Sequence, residues 1–232
     1  MNVVDSRYFG KVYSIAEFND FAIKEISEIL ANGETEIVII GSSFGGHLAL
    51  SLMNALITDK NPILENIIGV VLAGTPPAGT AERMCRAFRP PVEDVEEGGR
   101  TVLELLSAPG VMTGAEAMRF VLPAFGPGNS EDHSAIIAEN IRNVTKNAKM
   151  GKTRHEILSE VGDIDEVEFA RKIAAATKLV FVHATRDPVI CGDYVAEVAH
   201  EVGADIIYID APHYSHWSNA SEFHRLVKEI FE

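Results

Sequence analysis

The apolar residues of the chain follow two alternating patterns, one typical of buried strands and one typical of helices. Short, mostly apolar runs occur at Ile37–Ile40, Ile67–Ala73, Leu179–Ala184 and Ile206–Ile209, and each predicts a strand; Ile37–Ile40 is continuously apolar and β-branched. Strands that are apolar on both faces are typical of parallel sheets covered by helices on both sides. The pattern therefore predicts four strands of a mostly parallel sheet.

Between these runs, apolar residues recur at the three- and four-residue spacing of helices. The first such segment begins at Ser14-Ile15-Ala16-Glu17, which has the form of a capping box, and ends at Asn32-Gly33. Residues His47–Ile57 are apolar almost all round, as expected of a helix buried against a sheet. Further helices are predicted at Val195–Val202 and, as one amphipathic stripe, from Trp217 to Phe231. Strands alternating with helices predict an α/β domain with helices flanking the sheet.

Residues 76–177 interrupt this alternation. They open with Pro76-Pro77 and show helical patterns near 114–120, 132–149 and 166–176, without a convincing strand. We interpret this stretch as a mainly helical insertion, with residues 1–75 and 178–232 forming the core. Its large apolar residues suit either an apolar acyl or aromatic pocket or an ordinary core: Met84, Phe88, Met112, Met118, Phe120, Leu122 and Phe125.

Composition narrows the classes of partner. The 232 residues are 47% hydrophobic, which suffices for one domain with an insertion. No apolar run approaches the roughly 20 residues of a membrane span, and no secretory signal follows Met1, so we expect a cytoplasmic protein with no membrane partner. A formal charge of −14 with scattered cations argues against nucleic acid. Cys85 and Cys191 have neither disulfide-framework nor zinc spacing.

The strongest chemical signal is Gly41-Ser42-Ser43-Phe44-Gly45, which fits the pattern G-x-S-x-G with Ser43 at its centre. In such a strand-to-helix turn the central serine has a strained backbone, and Gly41 and Gly45 avoid side-chain collisions across the turn. The N–H of Phe44, at the start of the helix, is the expected first oxyanion donor. The alternative is a glycine-rich turn that does no chemistry or only binds an anion. The strand before it and the helix after it favour a nucleophile.

A serine nucleophile needs a base, and the base needs an orienting carboxylate. His213 follows the last predicted strand, and Asp187 follows the strand before it, so both belong at the sheet edge where Ser43 lies. The chain order Ser43, Asp187, His213 is the one expected of this class of triad. Taken singly, Asp187 before a proline could be a turn former and His213 an ordinary loop residue. Their coincidence favours an ester-cleaving triad that needs no cofactor.

His216 competes with His213 for the role of base, being three residues further along. The two histidines could also pair as metal ligands, but no third ligand has helpful spacing, so no metal site is predicted. We expect His216, together with Ser42, to line the pocket, or His216 to cap the following helix.

These residues resemble the α/β-hydrolase family, and the resemblance runs from Asp5 to the C-terminus. Asp5–Gly10 is similar to the family's D-x-R-G-x-G segment, the Ser43 motif to its nucleophile elbow, and Asp187-Pro188 to its acid loop. The ten-residue interval from His213 to Phe223 matches the family's usual spacing. The resemblance implies a serine hydrolase for small ester or related carbonyl substrates, with residues 76–177 as a cap domain that shapes substrate choice.

One expected element is missing from this resemblance. Family members normally begin with several strands, one of which ends in a His-Gly or Gly-Gly loop that supplies the second oxyanion N–H. Apart from the Gly-Gly pair of the Ser43 turn, the sequence contains one Gly-Gly, Gly98-Gly99, and it lies in the insertion. The chain thus resembles an N-terminally shortened hydrolase with an exposed sheet edge. Three explanations stay open: the chain derives from a longer hydrolase, it completes its sheet through a homodimer or another partner, or it is a weakly active or inactive binding protein. Acyl transfer to an acceptor other than water is a further alternative to hydrolysis.

Overall fold

A four-stranded parallel sheet forms the centre of the fold. The computed structural model describes residues 14–78, 80–88, 110–126, 131–147, 155–156, 159–160 and 164–232. The strands are β1 (Ile37–Ser42), β2 (Ile67–Ala73), β3 (Lys178–Ala184) and β4 (Asp205–Ile209), paired in the order β1-β2-β3-β4. The predicted mostly parallel sheet is therefore confirmed. The Asp5–Gly10 motif and Gly98-Gly99 lie outside the described residues.

Helices follow the strands in the expected alternation. They are α1 (Ile15–Ala31), α2 (Phe44–Thr58), α3 (Ala81–Ala87), α4 (Gly114–Phe125), α5 (Glu131–Lys146), α6 (Glu166–Ala176), α7 (Gly192–Val202), α8 (Ser215–Ser218) and α9 (Ala220–Phe231), with a 3₁₀ helix at Pro62–Asn66. The Ser14 hydroxyl caps α1 by accepting from the N–H of Glu17. None of the helices in the described ranges is long and apolar enough to cross a membrane.

The two faces of the sheet have separate cores, because alternate residues of a strand point to opposite sides. Val70 and Leu72 of β2 join the larger cluster, which also contains buried residues of α1, α2, α6 and α7. Val71 and Ala73 join the smaller cluster, which α9 covers. Helices therefore flank both faces, as predicted.

The register brings the carboxyl ends of the strands to one edge of the sheet. Ser42 of β1 pairs with Ala73 of β2, and Ala184 of β3 pairs with Ile209 of β4. Residues that directly follow these four strands, far apart in sequence, therefore meet at this edge.

The prediction of one continuous closing helix is wrong. The chain breaks at Asn219, whose backbone (φ −139°, ψ 53°) is not helical and whose side chain donates to the carbonyl of Asp210. Trp217 therefore lies in the separate α8 and is 45% exposed, instead of joining the apolar stripe of α9.

Within residues 76–177 the regular elements of the described segments are helices, although the sequence pattern does not predict α3, and α4 continues through Pro123 to Phe125. The last of these helices, α6, packs against α2 of the core. The seven large apolar residues of this stretch differ in burial. Met84, Met112, Phe120 and Phe125 are buried in the core, Phe88 is half-buried, and Met118 and Leu122 are exposed. The division into core and cap stays a prediction. Cys85 and Cys191 are free thiols.

Candidate active site

Ser43 occupies the turn between β1 and α2 in an unusual backbone conformation. Its φ is 50° and its ψ −120°, which is a strained combination for a residue with a side chain. Two backbone hydrogen bonds hold it there: its N–H donates to the carbonyl of Ala73 (2.8 Å), and its carbonyl accepts from Gly46 (2.9 Å). The strained turn expected of the motif is thus present at Ser43, one residue beyond the end of β1.

Close backbone packing explains the glycines of this turn. A Cβ at Gly41 would lie 2.5 Å from the Cα of Gly46 and 2.8 Å from the carbonyl oxygen of Gly45. Sequence reasoning missed Gly46, where a Cβ would lie 2.0 Å from the side-chain oxygen of Thr75. A side chain at Gly41 would thus collide across the turn, and the adjacent Gly45-Gly46 pair is the sequence signal that could have pointed to the second position.

His213 and Asp187 lie beside Ser43 at the same edge of the sheet. The Nε2 atom of His213 is 2.8 Å from the Oγ atom of Ser43, and its Nδ1 atom is 2.7 Å from Oδ2 of Asp187. His213 and Asp187 are each 1% exposed. Backbone bonds join their loops, because Thr185 donates to Ile209 (2.9 Å) and Arg186 donates to Ala211 (3.1 Å). The structure therefore brings the three predicted residues into one chain of hydrogen bonds.

The Asp187 carboxylate is bonded on both oxygens. Its Oδ1 atom accepts from the N–H groups of Val189 (2.8 Å) and Ile190 (3.0 Å), while Oδ2 faces His213. Burial raises the pKa of Asp187, but His213 and the two N–H donors together outweigh it and keep this pKa below its usual value. Asp187 is thus ionised at neutral pH and can only accept hydrogen bonds.

This charge state assigns the proton on the imidazole. Because Asp187 accepts, a neutral His213 carries its hydrogen on Nδ1, and its Nε2 atom is left to accept from the hydroxyl of Ser43. A hydroxyl in this position can transfer its proton to Nε2 as its oxygen attacks an electrophile. The arrangement is therefore chemically able to activate Ser43. Phe44 is the first residue of α2, and its role as oxyanion donor stays a prediction.

The depressed pKa of Asp187 predicts an acid-dependent stability. In the unfolded chain its pKa is about 3.9, so the stabilising effect of the ionised form is full above about pH 4 and disappears as pH falls through the lower folded pKa. We expect the difference in unfolding free energy between the wild type and Asp187→Asn to shrink below about pH 4. Urea unfolding at constant ionic strength measures this free-energy difference. A difference that stays constant as the pH falls below about 4 would contradict the lowered pKa of Asp187.

Ser42 and His216 form a second pair beside the first. The Oγ atom of Ser42 is 3.2 Å from Nδ1 of His216, and both residues are half-buried. Both ring nitrogens of His213 are already engaged with Asp187 and Ser43, so the two histidines do not share a metal in this arrangement. Among the described residues, no group of three or more His, Cys, Asp or Glu side chains could hold a metal ion. The pocket role of Ser42 and His216 stays a prediction.

Sequence reasoning missed two neighbours of this site, Thr75 and Tyr214. The Thr75 hydroxyl donates to the carbonyl of Ser43, and the ring of Tyr214 packs edge-on against His213 at 4.7 Å. Tyr214 also donates its N–H to Ala124 of α4 (3.0 Å), which joins that helix to the His213 loop. Thr75 could have been found by the rule that located Asp187, because it lies two residues beyond the end of β2.

We compared the chain with known proteins in sequence and in structure. No family model matches the chain, and no curated protein matches it in sequence. Solved structures do match it. The N-acyl homoserine lactonase AidH superposes with a TM-score of 0.64 at 17% identity, covering 94% of this chain and 70% of that one. The enol-lactonase from Burkholderia xenovorans LB400 superposes with a TM-score of 0.62 at 17% identity, covering 94% of this chain and 72% of that one.

A third match is a serine hydrolase from Cycloclasticus zankles, with a TM-score of 0.59 at 19% identity, covering 94% of this chain and 71% of that one. At these identities the likeness shows the fold. Together with the parallel sheet and its flanking helices, it establishes that the chain has the α/β-hydrolase fold.

Proposed function

We propose that this protein is a serine hydrolase that cleaves a small ester or related carbonyl substrate through an acyl-enzyme. The observation that carries the proposal is the buried hydrogen-bonded chain from Ser43 through His213 to Asp187. A serine on a strained turn, bonded to a histidine whose second nitrogen faces an ionised carboxylate, has the geometry required of an activated nucleophile.

The reaction follows from the roles of these three groups. The Ser43 oxygen forms a bond to the substrate carbonyl carbon while Nε2 of His213 takes the hydroxyl proton. The carbonyl oxygen becomes an oxyanion, toward which the Phe44 N–H donates. Collapse breaks the bond to the leaving oxygen, which receives the proton from Nε2. Water then attacks the acyl-enzyme by the same steps, releasing the acid and restoring Ser43.

Cyclic esters belong to the proposed substrate class. Two of the matched structures are named as lactonases, one for N-acyl homoserine lactones and one for an enol-lactone. In a lactone the leaving oxygen stays attached to the acyl group, so one product leaves after deacylation. We infer a substrate with an apolar acyl or aromatic part. The candidate contacts for it are Met118 and Leu122, the large exposed apolar side chains of α4.

Labelling with a fluorophosphonate probe tests the proposal. We expect the folded protein to form one covalent adduct, located by peptide mass spectrometry on Ser43, because an activated serine oxygen attacks phosphorus as it attacks a carbonyl. Ser42→Ala is the matched control and should still be labelled, whereas Ser43→Ala should not. A folded wild type without an adduct, or an adduct that persists in Ser43→Ala, would refute the nucleophile.

A binding protein with little activity is the second candidate. The observation that favours it is that β1, within the described ranges, has β2 as its one sheet neighbour. By the family resemblance, the second oxyanion donor is expected beyond that edge, and losing one such donor costs about two to three powers of ten in turnover. A homodimer that covers this edge is a separate proposal, because it would complete the sheet. Turnover of short p-nitrophenyl esters that disappears in both Ser43→Ala and His213→Ala would exclude the binding protein with little activity.

A further inference from the structure

The segment that follows β2, here called the β2 loop (Gly74–Ala78), contacts the nucleophile directly. The hydroxyl of Thr75 donates to the carbonyl of Ser43 over 2.8 Å, and Thr75 is 1% exposed. The same hydroxyl lies 3.4 Å from the carbonyl of Ala73, so the bond to Ser43 is the shorter one. The strained peptide of Ser43 is thus held by a side chain from a different strand connection.

The β2 loop also contacts the imidazole. Gly74 has a φ of 58°, and a Cβ built on it would lie 3.0 Å from Cε1 and 3.1 Å from Nδ1 of His213. On the other side, the tight approach of Gly46 to Thr75 leaves the threonine side chain little freedom to move. One short loop therefore packs against both partners of the bond between Ser43 and His213.

Buried polar groups fix the far end of the β2 loop. The N–H of Ala78 donates to Oε2 of Glu166 (3.0 Å), whose Oε1 atom lies 2.7 Å from Nδ1 of His47. The hydroxyl of Tyr194 donates to the carbonyl of Pro77 (2.7 Å). Glu166 is 2% exposed, and a carboxylate so deeply buried is tolerated only when its oxygens have partners. These bonds connect α2, α6 and α7 to the loop.

We propose that Thr75 is a positioning residue for Ser43, and that Glu166 positions Thr75 by anchoring the β2 loop. The expected changes in turnover and labelling rest on the proposed function, whereas the expected change in the position of Ser43 does not. Thr75 does not touch the reacting atoms; it acts through the carbonyl of the residue that does. The proposal assigns this role to the Thr75 hydroxyl. Valine has nearly the same shape but no hydroxyl, so it fills the space without donating a hydrogen bond.

Thr75→Val and Thr75→Ser separate the hydroxyl from the shape of the side chain. We expect Thr75→Val to lower kcat for ester turnover about tenfold, the effect of about one hydrogen bond, with KM changed less than about twofold. The labelling rate of Ser43 should fall by the same factor, and Thr75→Ser should recover most of both. Thr145→Val, which removes a hydroxyl bonded to Ile141 on α5, is the matched control and should match the wild type.

Crystal structures of the same variants make the test independent of activity. In Thr75→Val we expect a displaced Ser43 carbonyl and an Oγ to Nε2 distance beyond hydrogen-bonding range, with both restored in Thr75→Ser. An unmoved Ser43 in Thr75→Val, or a Thr75→Ser variant as impaired as Thr75→Val, would overturn the proposal. A wild type that fails to be labelled would refute the hydrolase function, and the Ser43 geometry would still decide the positioning role.

Glu166 provides a second pair of variants in case Thr75→Val does not fold. Glu166→Gln retains an oxygen for the N–H of Ala78 and an amide group opposite His47, whereas Glu166→Ala retains neither. We expect Glu166→Ala to lower kcat about tenfold and Glu166→Gln to stay within about threefold of the wild type. Equal losses in both variants, or no loss in Glu166→Ala, would contradict the anchoring role.

Discussion

Asp187→Asn is expected to lower kcat for ester turnover about ten-thousandfold while leaving the fold intact. The asparagine oxygen can take the place of Oδ1 and still accept from the N–H groups of Val189 and Ile190. Its amide nitrogen then replaces Oδ2 and donates to Nδ1 of His213, so the imidazole must carry its own hydrogen on Nε2. A ring that points N–H at Ser43 cannot accept the hydroxyl proton.

Two measurements separate this tautomer effect from unfolding. Thermal unfolding and circular dichroism of Asp187→Asn at neutral pH should show a folded protein, and the labelling rate at Ser43 should fall with kcat. Asp205→Asn, an exposed aspartate at the opposite end of β4, is the matched control and should keep full activity. A folded Asp187→Asn variant within about tenfold of the wild-type kcat would exclude Asp187 as the orienting group.

The fold and the three central residues could be predicted because local patterns determine them. Short apolar runs identified the four strands of the described ranges, since parallel strands covered on both faces have no polar side to obscure the pattern. Once those strands were placed, parallel pairing required their carboxyl ends to share an edge. Ser43, Asp187 and His213 each follow a strand closely, so their meeting followed from topology without any knowledge of side-chain packing.

The supporting contacts could not be predicted, because they join residues that no local pattern connects. His47 and Glu166 are 119 positions apart, and His47 by itself is one of a few polar residues in a mostly apolar helix. Position 46 is similar: the motif requires glycine at two places, whereas Gly46 is constrained by Thr75, which belongs to another loop. At the helix break, the Asn219 side chain donates to the carbonyl of Asp210, a contact between two polar residues that the apolar pattern does not register. Sequence therefore predicted which groups meet, and tertiary packing determines how tightly they are held.

The tightness of that packing can be measured at Gly41. A methyl group there would lie 2.5 Å from the Cα of Gly46 and 2.8 Å from the carbonyl oxygen of Gly45, and both are backbone atoms that no rotamer change can move away. The chain must therefore shift at the elbow to admit Gly41→Ala. We expect a loss of about 3 kcal/mol in the free energy of unfolding, at the upper end for overpacking. In molecules that remain folded, kcat should fall about a hundredfold, because a displacement of about 1 Å suffices for that loss.

Gly114→Ala is the matched control for this prediction. Gly114 begins α4, and a Cβ on it would meet no atom within 4 Å, so the same substitution adds a methyl group to open space. Urea unfolding and ester kinetics should show Gly114→Ala at wild-type level or slightly more stable, since alanine favours a helix more than glycine does. If Gly41→Ala matched it in both measurements, the elbow would have room to relax, and the close approach of Gly41 to Gly46 would not be what keeps Ser43 in its strained conformation.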